Sequence, residues 1–454
     1  MSTRPSILKG TRDFLPETMV KRNYIFSIIK GVFENYGFSP IETPCIEKTE
    51  TLMGKYGEEG DRLIFRVLNL GDSLKKADTN AIDEGKLGRF SNSISDKALR
   101  YDLTVPFARF VVQNQNDLSF PFKRFQIQPV WRGDRPARGR YREFYQCDAD
   151  IVGSDSLLYE IELVQIFDEV LSKLGLPDFS IKINNRKILS GIAEVCGESE
   201  KLIPITVAID KLDKIGKEGV IKELRDREVS EEAIAKIDPL FDLSGDNDAN
   251  LEMLTTYLAD SETGLKGIEE LKYVLDNIKA LGLNKAKVEF EVTLARGLNY
   301  YTGAIFEVTA NNVNMGSICG GGRYDDLTAL FGLKGMSGVG ISFGADRIYD
   351  VMKELDLFPK SVLTTTKYLF INFGEEEQTH CMRIAKRIRE KGVSCEVYPS
   401  AKGMKKQMKY ANDRNIPFVI ILGSQEIEKY TLAIKNMETG EQENIPTEEF
   451  LNRI

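Results

Sequence analysis

The densest run of chemically capable side chains is R-G-D-R-P-A-R-G-R-Y-R, from Arg132 to Arg142, which packs five arginines and one aspartate into eleven residues. Arginine presents a planar fork that grips phosphate oxygens in pairs, so a strand-borne arginine followed by a flexible basic loop suits a nucleotide phosphate or a nucleic-acid backbone. An exposed basic hairpin tip is the alternative reading of the same residues. A second segment, L-A-R-G-L-N-Y-Y-T-G from Leu294 to Gly303, sets Arg296 close to the adjacent Tyr300 and Tyr301. Histidine is almost absent. His380 is the single example, which excludes a multi-histidine zinc site and any Ser-His-Asp triad not built on that one residue. Chemistry therefore falls to carboxylates, arginines, tyrosines or bound metal ions.

These residues need large supporting cores, and 454 residues with 42% apolar side chains supply them. Roughly 100–200 residues per domain suggests about three domains. No uncharged apolar run approaches the ~18 residues of a membrane span, and the opening M-S-T-R-P-S-I-L-K-G lacks the apolar core of a secretory signal. A cytoplasmic protein is expected. The six cysteines, Cys45, Cys147, Cys196, Cys319, Cys381 and Cys395, form no C-x-x-C pair and read as reduced structural thiols. A net charge of −8 argues against polyanion binding by the whole surface, but Arg383 to Arg414 carries ten Lys/Arg against three Asp/Glu. A solvated helix face and a nucleic-acid contact both account for that cluster.

Periodicity places the elements. Met19 to Tyr36 repeats as a helix through Ile25, Ile28, Ile29, Val32 and Phe33, and Gly37 stops it before the extended G-F-S-P-I-E-T-P. Arg124 to Trp131 alternates Phe125, Ile127 and Pro129 against Arg124, Gln126 and Gln128, and Phe144 to Val152 is extended, so two strands flank the arginine loop. From Asn185 to Leu283 the sequence turns charge-rich and helix-forming, which suggests an inserted helical domain. Strand character resumes at Val288 and continues with glycine turns to Gly344. After the polar Thr364–Thr366, strands alternate with helices through Tyr368–Phe373, Cys381–Ile388, Cys395–Tyr398, Met404–Ala411 and Phe418–Leu422. That pattern predicts a small α/β domain with a largely parallel sheet.

R-G-D followed by G-R-Y-R-E-F-Y-Q resembles motif 2 of class II aminoacyl-tRNA synthetases. The resemblance implies that Arg132 binds the ATP α-phosphate, that Asp134 stands near the adenine where the family usually has glutamate, and that Phe144 stacks on the base. G-V-G-I-S-F-G-A-D-R-I resembles motif 3 and implies that Arg347 holds the other side of the nucleotide. A dinucleotide-binding reading fails, because Gly338, Gly340 and Gly344 are spaced G-x-G-x-x-x-G with no βαβ unit around them. The helix ending near Tyr36 and the extended segment to Pro44 stand in for motif 1, which implies a homodimer interface; an ordinary packed helix and strand is the alternative.

Three further stretches, R-Y-D-L-T at Arg100, Q-C-D-A-D at Gln146 and the Leu294 segment, are similar to histidyl-tRNA synthetases in the form common to eukaryotic cytosolic enzymes and some bacteria. K-G-T-R-D-F-L-P at Lys9 and G-G-G-R-Y-D-D-L at Gly320 extend the likeness. The motifs cover residues 9 to about 350, and the tail is matched by pattern. The family's fold is an α+β class II catalytic domain with a mainly antiparallel sheet, an inserted helical domain and a C-terminal α/β anticodon-binding domain. The expected divisions are 1–184 and 286–360 for the catalytic domain, 185–285 for the insertion and 366–454 for the tail.

The implied reaction joins ATP, L-histidine and tRNA(His). Asp150 and Tyr301 match the positions that read the two imidazole nitrogens, with Tyr300 beside them, and Asp102, Thr104 and Gln146 match those that hold the α-amino group. Such a pocket discriminates strongly without editing. Arg296, opposite Arg132, would neutralise the repulsion between carboxylate and α-phosphate, with Mg2+ on the phosphates and no general base. Asn299 departs from the aspartate of many members, and Asp102 is shorter than the glutamate of many bacterial ones. A noncatalytic regulatory paralogue is the main rival, though such proteins typically lose the motif arginines or the tail; a synthetase for proline or threonine has no support from these segments.

Overall fold

The computed structural model describes residues 4–243, 245–295, 300–363 and 366–454. Arg296 and Asn299 lie outside the described residues, as do Thr364 and Thr365 of the polar linker. The chain divides into two compact units, one containing Ile25–Leu357 and the other Phe358–Ile454 together with Phe14–Tyr24.

In the larger unit, strands β1 (Ser39–Pro40), β2 (Ile46–Lys48), β3 (Arg66–Val67) and β4 (Lys97–Leu99) come first. Strands β5 (Phe122–Trp131) and β6 (Glu143–Val152) form the long hairpin whose tip is the arginine loop, and β7 (Phe179–Asn185) follows. Helices then occupy most of the chain from Arg186 to Leu281 before β8 (Lys287–Phe290), β9 (Ala304–Ala310), β10 (Cys319–Tyr324) and β11 (Gly338–Gly344). Eight of these make one sheet in the order β1-β5-β6-β11-β10-β9-β7-β8, antiparallel except for the parallel edges β1–β5 and β7–β8. The mainly antiparallel catalytic sheet is as expected from the class II resemblance. Strands β2, β4 and β3 form a separate small sheet.

The two faces of the large sheet differ in chemistry because strand side chains alternate. One face carries Phe125, Cys147, Ala149, Ile151, Val339 and Phe343, all buried. Helix Pro16–Asn35 meets it through Phe33, and helix Leu158–Lys173 through Phe167, whose rings lie 5.8 and 5.3 Å from that of Phe343. Such aromatic contacts add to area burial and fix the sheet against its helical layer. The opposite face carries Arg124, Gln126, Gln128, Gln146, Asp148 and Asp150, and it builds the site.

In the smaller unit β12 (Tyr368–Phe370) pairs in parallel with β13 (Cys395–Val397) and β14 (Phe418–Ile421), while β15 (Thr431–Asn436) and β16 (Gln442–Pro446) add antiparallel. The sheet is therefore mixed, not largely parallel. The reason is local: no helix separates β15 from β16, and Gly440, at φ 77°, closes a tight hairpin that only an antiparallel pair can use. Helices Glu375–Glu390 and Met404–Asp413 carry most of the basic cluster, and His380 is half-buried on the first of them.

Candidate active site

Pairing register brings the polar face together. Asp150 of β6 sits between Arg124 of β5 and Gly340 of β11, Asp148 between Gln126 and Ser342, and Gln146 between Gln128 and Gly344. Gly340 is required where it stands, because a β-carbon there would collide with the Asp150 carboxylate. Every sequence-predicted site residue among the described ones, namely Asp102, Thr104, Arg132, Asp134, Phe144, Gln146, Asp150, Tyr300, Tyr301 and Arg347, lines one cavity above this face.

One end of the cavity is a buried acid and tyrosine pocket. Asp102 stands just before helix Thr104–Gln113, where its Oδ1 accepts from the Val105 amide at 3.2 Å and from the Tyr56 hydroxyl at 2.8 Å. Its Oδ2 accepts from the Tyr300 hydroxyl at 3.4 Å. A carboxylate here caps the helix, since the first-turn amides have no intrahelical acceptor. Burial raises the Asp102 carboxyl above the ordinary carboxylate range against these donors. Asp150 faces the Arg124 guanidinium at 2.7 Å through Oδ2 and accepts from the Tyr324 hydroxyl at 2.7 Å through Oδ1. Arg124 is fully buried and stacks 4.2 Å over the Phe107 ring. Tyr300 and Tyr301 meet edge to face with ring centroids 5.1 Å apart, and burial among carboxylates pushes both phenols up, which keeps them protonated donors.

The other end is cationic and aromatic. The Arg132 guanidinium lies 4.3 Å over the Tyr101 ring and 5.1 Å from that of Phe144, and its Nε donates to the Tyr101 carbonyl. Arg347 spans from the Gly139 carbonyl, at 2.8 Å from Nε, to the Ser317 carbonyl. It thereby pins the tip of the β5–β6 hairpin over the sheet. Asp134 sits 3.8 Å from Arg140. Two arginines flanking an aromatic slot, joined to a pocket of buried acceptors, can hold a nucleotide phosphate beside a cationic amine.

The family model described as Histidyl-tRNA synthetase matches residues 68–348, and the one described as Anticodon binding domain matches residues 367–454. The chain is 60% identical over 446 residues to the histidine–tRNA ligase of Christiangramia forsetii, covering 98% of each protein. The chain belongs to the histidyl-tRNA synthetase family. It is 57% identical to the histidine–tRNA ligase of Phocaeicola vulgatus, with 99% of each covered. The crystal structure of the histidyl-tRNA synthetase from a Nostoc species superposes with a TM-score of 0.84 at 30% identity, covering all of both chains.

As a member of the histidyl-tRNA synthetase family the chain is an aminoacyl-tRNA ligase with a class II catalytic fold. Its site contains residues that motif reading passes over. Asp148, Arg124, Ser342, Tyr324 and Tyr56 all belong to the polar pocket or its support. Asp148 is accessible from the alternation of Phe144, Gln146, Asp148 and Asp150 along one strand face. Arg323, next to Tyr324, clamps Glu160 with bonds of 2.5 and 2.7 Å and donates to Ser337 Oγ at 2.6 Å. Arg100 of R-Y-D-L-T, fully buried, ties the Thr43 carbonyl and Gln128 Oε1, each at 2.7 Å, and so fixes the strand beneath the pocket. In the tail, Arg387 pairs with Glu448 and Arg414 with Glu396, whereas Lys402, Lys405, Lys406 and Lys409 are exposed and have no ion-pair partner among the described residues.

Proposed function

We propose that the chain activates L-histidine with ATP to histidyl-adenylate and transfers the histidyl group to the 3′ end of tRNA(His). One observation carries this reading: a pocket of buried acceptors and protonated tyrosines opens directly into an arginine and aromatic slot within one cavity. Asp102, Thr104 and Gln146 accept from the α-ammonium, while Asp150, Tyr300 and Tyr301 surround the ring. Substrates without ring nitrogens leave these groups unpaired, which is a strong basis for rejection.

The α-carboxylate attacks the α-phosphorus, the new P–O bond forms as the bond to pyrophosphate breaks, and pyrophosphate leaves with that electron pair. The nucleophile is already ionised, so no proton is removed. Arg132 neutralises charge on the α-phosphate, Arg296 is assigned the opposite side, and Phe144, Asp134 and Arg347 hold the nucleotide. In transfer, a terminal ribose hydroxyl of the tRNA attacks the adenylate carbonyl and AMP departs. Magnesium enters with the nucleotide as part of the substrate. Among the described residues no group of three or more His, Cys, Asp or Glu is placed to hold a metal ion.

The catalytic domain is read as 1–184 and 286–360 with the helical segment 185–285 inserted, and 366–454 contacts the anticodon region. A cytoplasmic homodimer completes the proposal; no helix among the described residues is long and apolar enough to cross a membrane. Charging of tRNA(His) with labelled histidine tests the whole reaction. Acid-precipitable, ATP-dependent product is expected, and none with intact transcript contradicts the reading.

A further inference from the structure

We propose that Asn184 is a positioning residue for histidine activation: its carboxamide fixes the backbone that leads into Arg296, and so sets how fast the reaction runs, not how tightly the substrates bind. This rests on the assignment of Arg296 to the α-phosphate.

Asn184 lies at the end of β7 and is fully buried. The parallel ladder with β8 runs to Ile183 and Phe290, and the Glu291 amide extends it by donating to the Ile183 carbonyl at 3.0 Å. There the chain turns, with the Leu294 amide donating to the Glu291 carbonyl at 3.0 Å. From this point the Asn184 side chain takes the place of the ladder. Its Nδ2 donates to the Val292 carbonyl at 3.0 Å and to the Leu294 carbonyl at 2.9 Å. Val292, Leu294 and Ala295 are buried, and Arg296 is the next residue in the chain.

The residue type follows from this task. A carboxamide nitrogen carries two hydrogens, and both are used on carbonyls two residues apart. Both neighbours are acceptors, so the nitrogen and not the oxygen must face them. The oxygen accepts from the Asn185 amide at 2.7 Å, which leaves the group held on both sides. Aspartate, of the same size, would set lone pairs against the two carbonyls, and an apolar side chain would leave them buried without a donor.

The far end of the segment is held separately. The Arg186 amide donates to the Gly303 carbonyl and the Thr302 amide to the Arg323 carbonyl, both at 2.8 Å, and Thr302 Oγ1 donates to Asp325 Oδ2 at 2.6 Å. Tyr300 and Tyr301 belong to that end. At the near end the other side-chain contact is longer, from Arg186 Nη1 to the Ala295 carbonyl at 3.4 Å. Loss of the Asn184 amide therefore frees the approach to Arg296 and leaves the tyrosines of the pocket tied down. Activation brings a carboxylate against a phosphate, and misplacing a group that offsets their repulsion by ~1 Å can slow such a step about 100-fold.

Histidine-dependent pyrophosphate exchange is measured on the full-length parent, Asn184→Ala, Asn184→Ser and Arg296→Ala, well below each melting midpoint. Asn184→Ala is expected to lower kcat about 10- to 100-fold while the KM values for histidine and ATP stay within about threefold of the parent. Asn184→Ser keeps one donor and is expected to recover part of the rate at unchanged KM; it carries the test should the alanine variant not fold. A residue that only supports the fold gives a lower melting temperature with kcat intact. In folded variants, kcat within about twofold of the parent, or a loss confined to KM, overturns the assignment. Failure of both Asn184 variants to fold makes the residue a purely structural one and overturns it as well. A parent that shows no exchange with histidine, or an Arg296→Ala variant that keeps the parent rate, overturns the underlying reading instead, and this assignment with it.

Discussion

Tyr324 donates its hydroxyl hydrogen to Asp150 Oδ1 at 2.7 Å, from a strand residue whose neighbour Arg323 is clamped to Glu160. The polar wall of the pocket is thus tied, two residues away, to the start of helix Leu158–Lys173 on which Glu160 lies. Substrate selection and fold stability share one chain of buried contacts, and the two can be separated by mutation.

Tyr324→Phe removes the donor to Asp150 and keeps the ring. Hydrogen bonds to charged groups contribute about 1.5–3 kcal/mol, so histidine affinity should fall at least about tenfold while the KM for ATP stays within about twofold. Steady-state pyrophosphate exchange with each substrate varied in turn measures both, and an unchanged histidine KM would show that Asp150 does not depend on this hydroxyl.

Glu160→Gln breaks the buried pair with Arg323, a group 4% exposed. Removing one partner of such a pair destabilises by about 3–5 kcal/mol, because the remaining charge is left uncompensated. Urea unfolding should show a lower midpoint for the unit holding the large sheet, and a loss under ~1 kcal/mol would mean that Ser337 and the Ser154 and Ser156 carbonyls satisfy Arg323 unaided.

Stability should depend on pH through Asp148. Its folded-state carboxyl is raised from 3.8 to about 7 by burial, with Asp150 and Asp102 adding to the effect and Arg124 opposing it. A raised carboxyl means that the native state binds the proton more tightly than the unfolded chain. That contribution is full below about pH 4 and is lost as pH rises from there through about 7. Asp148→Asn should therefore gain melting temperature over the parent at pH 8 relative to pH 5; a pH-independent difference contradicts the burial account.

In the tail, Lys405→Ala, Lys406→Ala and Lys409→Ala together remove exposed cations on helix Met404–Asp413. Weaker tRNA binding with a shallower salt dependence is expected, and histidine-dependent pyrophosphate exchange should be unaffected. Equal tRNA affinity at all salt concentrations returns these lysines to an ordinary solvated face.

Much of the architecture is legible in the sequence because periodicity reports burial directly. The hairpin strands around Arg132 and the helical stretch after Asn185 follow from period 2 and period 3.6 patterns. What alternation cannot show is what covers a face. Arg124, Gln126 and Gln128 alternate with Phe125 and Ile127, yet Arg124 and Gln126 are as buried as the phenylalanine, enclosed by long-range partners such as Thr43 and Leu103. Asp148 escapes motif reading for a related reason: motif likeness points to Asp150, although both aspartates lie buried on the same strand face. The tail sheet differs because a tight turn at Gly440, not a helix, joins its last strands.

Histidine activation is the reaction assigned to this cavity. Amino-acid-dependent exchange of pyrophosphate into ATP, run across all twenty amino acids, tests it most directly. Exchange with histidine alone is predicted, and it should be suppressed by Arg296→Ala in a variant whose circular dichroism is unchanged. Comparable exchange with proline or threonine, or none with histidine, would contradict the account.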